Sequence, residues 1–330
     1  MTAYPLTVPS RASARIIGAV LGFVLTPIAL WLLATGAAGT YSVLLESYEL
    51  FNERIIPALL LVLLGGLLFA GVCWLSKLTS LAPTLATLWL LLPMASMFTP
   101  AIYGFLNPWT RQFMPYAVSD FLFTGSAGPL GIVTALLCVT TALLRRSKVR
   151  TGTPLTVAAA ILGTLLVLGG FYVMNLAVTE YRLELVRYMW LDPLSSFTAL
   201  LMTISIVLIG LGFICALRSS SVLFFSGGAL ILLVIFYVIS ALMNVSLSSS
   251  IITLEMERTL TYQTYSGILF SLGLAVIAGG IAQWQLRNQI LRSQSVIPVG
   301  PSSYHPHTTL LNGQPLNNDQ NRGPTSYSNS

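Results

Sequence analysis

The residues able to do chemistry lie outside the apolar runs of this chain. Glu46, Glu49 and Glu53 are three and four positions apart, which puts their carboxylates on one face if the segment is helical. A second group, Glu180, Glu184 and Arg187, lies in the stretch TEYRLELVRYMWLD, and a third comprises Glu255, Glu257 and Arg258. Carboxylates converging from two such groups could hold a divalent cation, or act as general acid and base on a lipid-linked substrate. The competing reading is a solvated charged face, with Glu184 and Arg187 forming a surface pair worth about 0–1 kcal/mol. No histidine accompanies these acids. His305 and His307 both fall near the C-terminus. The sequence has no DxD, HExxH, Walker or GxSxG pattern and no Cys/His ligand set. No cofactor and no metal are therefore expected, and the balance leans away from an enzyme.

What must position these groups is a set of long apolar runs. Eight stretches, 16–39, 56–76, 83–105, 127–144, 155–177, 194–217, 222–244 and 263–284, contain no Asp, Glu, Lys, Arg or His. At about 1.5 Å rise per residue, roughly 17–25 apolar residues cross a bilayer core of about 30 Å. Only helices and closed barrels satisfy every backbone group in lipid. The fold class is therefore all-α: a polytopic helical membrane protein with eight transmembrane helices. Charged residues make up 8% of the 330, against about 25% in soluble domains, as a hydrocarbon solvent requires. The net charge of +6 does not point to nucleic acid, because the basic residues are scattered through short loops.

Charge fixes the expected threading. With the N-terminus inside, the inner segments hold eleven basic residues and one acid, Asp319, and the outer loops hold five basic residues and nine acids. This is the positive-inside pattern, and it places both termini in the cytoplasm of a plasma-membrane, multi-pass protein. The run 127–144 is short, but removing it would put the cluster Arg145, Arg146, Lys148 and Arg150 outside. The first run follows Arg11 and Arg15 like a signal sequence, yet it is longer than a signal's ~7–15-residue core and is read as an uncleaved helix.

The outer loops are long and the inner ones short, in the same order on both sides of the central basic loop. This points to two tandem four-helix halves: a cytoplasmic N-terminus at 1–15, a first half at 16–144, a basic loop at 145–154, a second half at 155–284, and a mostly disordered tail at 285–330. AVLG at 19–22 matches AILG at 160–163, and Cys73 matches Cys215. Chance matching among apolar segments is the competing explanation. Pro27, Pro93 and Pro100 lie within first-half spans and are candidate kinks that could line a cavity. Asn175, Asn244 and Gln283 are the strongest polar groups near the spans, with capping and interhelical hydrogen bonds as sufficient roles. The segment 107–123 is apolar enough to lie in the outer interface.

The spans lack titratable residues other than cysteine and tyrosine, which disfavours a proton-coupled pump. The leading expectation is a non-enzymatic subunit, scaffold or assembly factor that docks a protein partner in the bilayer. The alternative is a transporter or flippase for a lipid or apolar solute, with a cavity lined by spans one and three. The third is a membrane-embedded transferase using the outer carboxylates.

Overall fold

Backbone hydrogen bonds closed within each segment are what hydrocarbon demands, and helices supply them throughout. The computed structural model describes residues 11–47, 55–99, 127–146, 153–188, 195–243 and 254–295, with isolated positions Glu53, Ile102, Gly104, Phe105, Pro108, Gln112 and Phe121. Among the described residues the helices are α1 (Arg11–Ser47), α2 (Ile55–Trp74), α3 (Leu81–Phe98), α4 (Gly128–Arg146), α5 (Thr153–Tyr188), α6 (Ser196–Ala216), α7 (Ser221–Leu242), α8 (Leu254–Tyr265) and α9 (Ile268–Ser295). The protein is an all-α, multi-pass membrane protein. Seven helices, all but α3 and α8, are long and apolar enough to cross a membrane.

The third expected span differs in its bounds. In place of 83–105, α3 has 18 residues and rises about 27 Å. It ends where Thr99 leaves helical geometry at φ −140°, ψ 88°. The next residue is Pro100, whose ring disfavours helical backbone in the residue before it. Pro100 itself, Asn244, both histidines and the segments 113–120 and 296–330 lie outside the described residues.

α1 runs unbroken through Pro27 and α3 through Pro93. A proline has no N–H, so Pro27 leaves the Phe23 carbonyl without its intrahelical donor. The Trp89 indole of α3 donates to that carbonyl at 3.0 Å, and the Phe23 and Trp89 rings pack at 5.2 Å. The missing bond is thus replaced by one between helices.

Small residues set the closest approaches. A Cβ at Gly22 would lie 2.8 Å from the Ala82 carbonyl oxygen and 2.9 Å from its Cα, so α1 and α3 touch backbone to backbone. Gly65 meets Ala29 and Leu33 in the same way across α2 and α1, and Gly212 meets Gly163 and Val167 across α6 and α5. Such close contact is how helices associate where lipid is as apolar as the side chains.

The helices pair in one order along both parts of the chain. α1 packs on α2 and α3, and α3 on α4; α5 packs on α6 and α7, and α7 on α9. The buried positions also correspond. Gly22, Thr26, Leu33 and Ala37 in α1 are buried, as are Gly163, Val167, Met174 and Val178 in α5, 141 positions on. In α3 and α7 the matching sets, 140 apart, are Ala82, Ala86 and Leu90 with Val222, Ser226 and Leu230. In α4 and α9, 142 apart, they are Leu130, Val133 and Leu144 with Leu272, Ala275 and Leu286. Cys73 and Cys215 differ in burial: Cys73 is fully buried and Cys215 only partly. Phe213, 140 positions after Cys73, is also at 0% exposure.

Where the two parts meet, α9 lies along α2 and α4. Gln283 of α9 donates to Thr140 of α4 at 2.9 Å, and a Cβ at Gly279 would meet the Leu137 side chain at 2.4 Å. Tyr181 of α5, fully buried, donates to the Ser96 carbonyl of α3 at 2.8 Å.

Candidate functional site

The bundle has an acidic end and a basic end, and the chemistry of each is largely committed to holding helices. At the basic end, the last carbonyls of a helix have no intrahelical donors. Arg145 of α4 donates to the Ser76 and Lys77 carbonyls of the 3-10 turn Leu75–Lys77 that follows α2, at 3.1 and 2.8 Å. Arg287 of α9, 142 positions later, donates to the Leu217 carbonyl at the end of α6 at 2.8 Å. A cation beside a helix C-terminus also complements the helix dipole.

At the acidic end, α5 extends beyond its apolar run through TEYRLELVRY, so the second charged group is a continuation of a span. Glu184 of that extension accepts from the Ser195 backbone N–H at 3.1 Å, from the Ser195 hydroxyl, and from the Thr198 hydroxyl at 2.7 Å. Ser195 is the N-cap of α6 and accepts from the Thr198 N–H. A carboxylate here satisfies free donors and meets the positive end of the dipole. Arg182 lies 3.9 Å over the Tyr262 ring of α8, holding that short helix against α5. Glu180 is partly buried, and Glu53 is exposed in the turn before α2. Glu46 and Arg187 belong to α1 and α5 by backbone, but their side chains lie outside the described residues, as does Glu49 entirely. Among the described residues, no three His, Cys, Asp or Glu side chains group as a metal site would require.

A feature with room for a ligand lies elsewhere among the described residues. A cavity of about 410 Å³ sits between the first half of α2, the second half of α7 and the α8–α9 turn. Its walls are Ile55, Ile56, Leu59, Leu60, Val62 and Leu63 of α2, Val234 and Val238 of α7, and Phe270 of α9. Thr40, Thr264, Tyr265 and Gly267 close it toward the acidic end. It opens sideways to the surrounding bilayer, where Ile56, Leu60 and Leu63 are 57%, 59% and 42% exposed. Gly267 shapes its end. The α8–α9 turn puts that residue at φ +72°, and a Cβ there would lie 1.9 Å from the Val62 side chain, so only glycine lets the turn press on α2.

This groove lies apart from spans one and three, where a transport path was expected; those helices are in backbone contact at Gly22 and Ala82, and Pro27 and Pro93 lie inside α1 and α3. Among the described residues of α1, Thr40 lines the groove. Sequence reasoning missed the groove because its walls are ordinary span residues; the one local signal was the Ser266–Gly267 turn ahead of the last apolar run. No family model, no curated protein and no solved structure matches the chain.

Proposed function

We propose that this protein takes a lipid or apolar solute from the bilayer, as the binding step of a transporter or flippase. The observation that carries the reading is the apolar groove between α2, α7 and α9, open on its lipid side. Its volume lies within the roughly 300–1,000 Å³ of small-molecule sites. Such a ligand needs no charge within the membrane, which agrees with charge-free spans.

The topology that goes with this reading has eight spans, counting the shorter α3. Both termini are cytoplasmic and the groove lies in the outer leaflet of the plasma membrane. The charge asymmetry supports it. Two tandem halves of four spans each, α1–α4 and α5–α7 with α9, also belong to it. They are supported by the shared pairing order, the buried positions 140–142 apart, and the equivalent capping by Arg145 and Arg287. Parallel repeats of this kind are a common transporter plan.

The subunit or scaffold reading is favoured by one observation. α8 buries Met256 and Leu260 and leaves Glu255 and Arg258 exposed at the acidic end, a charged face that could meet a protein partner. The transferase reading draws less support, since Glu184 is engaged in capping α6.

The test is mass spectrometry of the protein purified in mild detergent, for lipids and proteins together, beside Leu60→Trp. Leu60 lines the groove but is 59% exposed, so the larger ring fills space without disturbing the packed faces. One lipid class enriched with the native protein and lost from the variant is the expected result. A stoichiometric protein partner with no enriched lipid would overturn the reading in favour of the subunit.

A further inference from the structure

We infer that the groove receives the hydrocarbon chain of an uncharged lipid whose polar group, a hydroxyl or carbonyl, sits against Thr264. The inference rests on the lipid-handling reading above and names the ligand class.

The walls argue for a chain. Leu59, Leu60 and Leu63 of α2 face Val238 of α7 and Phe270 of α9 along an apolar trough. Protein interiors leave few voids, and a trough that opens into hydrocarbon is filled by hydrocarbon.

Charge argues against a phospholipid head. Among the described residues, no Asp, Glu, Lys, Arg or His lines the groove. A phosphate would call for an arginine or lysine, because an unpaired charge in a low-dielectric site is costly. Arg182, the described cation on the neighbouring stretch of α5, is occupied over the Tyr262 ring. The remaining titratable side chain of the lining is Tyr265, and burial pushes its phenol upward, so it stays neutral at physiological pH.

Thr264 argues for the polar group. It lines the groove at 6% exposure, and its hydroxyl has no hydrogen-bond partner. Several buried threonines elsewhere in the bundle turn the hydroxyl back to a carbonyl of their own helix, among them Thr26 to Gly22, Thr40 to Gly36, Thr141 to Leu137 and Thr179 to Asn175, at 2.6–2.9 Å. Thr264 does not. A buried hydroxyl left unpaired is unfavourable, and a ligand oxygen that pairs with it removes the deficit.

The experiment uses the full chain in nanodiscs with two photoreactive probes of equal chain length, a diazirine-bearing long-chain alcohol and a diazirine-bearing anionic phospholipid. The alcohol is expected to label peptides of α2 and α9 and to be displaced by unlabelled alcohol. Leu60→Trp should abolish the labelling. Thr264→Val should weaken it about five- to tenfold, and Thr264→Ser should restore it. Thr264→Val removes an unpaired hydroxyl at constant shape, so the variant keeps or gains thermal stability and a loss of labelling does not reflect unfolding. Equal or stronger groove labelling by the phospholipid overturns the uncharged-lipid inference and leaves lipid handling standing. Undiminished labelling of Thr264→Val overturns the role of that hydroxyl. No groove labelling by either probe overturns the lipid-handling reading as well.

Discussion

The replacement of a missing backbone bond at Pro27 makes a quantitative double-mutant cycle possible. Replacing Trp89 with phenylalanine keeps a ring against Phe23 but removes the N–H that now serves the Phe23 carbonyl at 3.0 Å. That carbonyl would then lack both its intrahelical donor and its interhelical one, in a medium that offers no water. Interhelical hydrogen bonds in a bilayer protein average about 0.6 and reach about 1.7 kcal/mol. An orphaned buried acceptor costs about 1–3 kcal/mol. Trp89→Phe alone should therefore destabilise by about 1–2 kcal/mol. Pro27→Ala restores an N–H four residues after Phe23, so in that background Trp89→Phe should cost only the change of ring. Trp89 is 41% exposed, which keeps that remainder small. The expected coupling is about 1 kcal/mol. The assay is thermal unfolding in detergent, read by a thiol-reactive dye on Cys73, which is fully buried in the folded protein. On the scale of larger domains the coupling corresponds to a shift of about 2–4 °C. Additivity within about 0.5 kcal/mol would refute the reasoning, since the two sites would then share no bond.

The same melting assay tests three further expectations. Arg145→Met and Arg287→Met should each cost about 1–2 kcal/mol after allowance for solvent screening, Arg145 more because it serves two carbonyls; the double variant should be additive, and a lysine at either position should recover only part. Gly22→Ala should cost about 1–3 kcal/mol because its Cβ meets backbone, whereas Gly71→Ala, with open space around it, should be neutral or slightly stabilising; equal effects would contradict the α1–α3 packing. Glu184→Gln should lower stability by about 0.5–1 kcal/mol while alcohol labelling of the groove persists; loss of activity in a protein that melts normally would instead favour the carboxylate as a catalytic group.

Several features of the site were legible in local sequence and others were not. The continuation of α5 through Tyr181 and Leu185 could be read from its apolar positions, because helix periodicity is a local property. The AVLG and AILG match was a true guide to burial, since Gly22 and Gly163 are both buried at close helix contacts. The cysteine match was not, because Cys215 lies two residues past the buried Phe213, and two residues in a helix turn a side chain by about 200°. The capping roles of Glu184, Arg145 and Arg287 depend on partners 11 to 70 positions away and had no local signature.

The sequence by itself determined the solvent of this protein and its secondary structure. Long runs without charge can satisfy their backbone in hydrocarbon only as helices, so membrane, multi-pass and all-α follow from composition and run length. Tertiary structure decided which apolar residues are packed and which face lipid. In a span both kinds are leucine, isoleucine and valine, and the transfer energy that separates inside from outside in water is absent. Val62 and Leu63 are neighbours of like chemistry, yet one is 5% and the other 42% exposed. Only the placement of glycines against neighbouring backbones, and of the Gly267 turn against α2, distinguishes them, and that placement is what leaves the groove open.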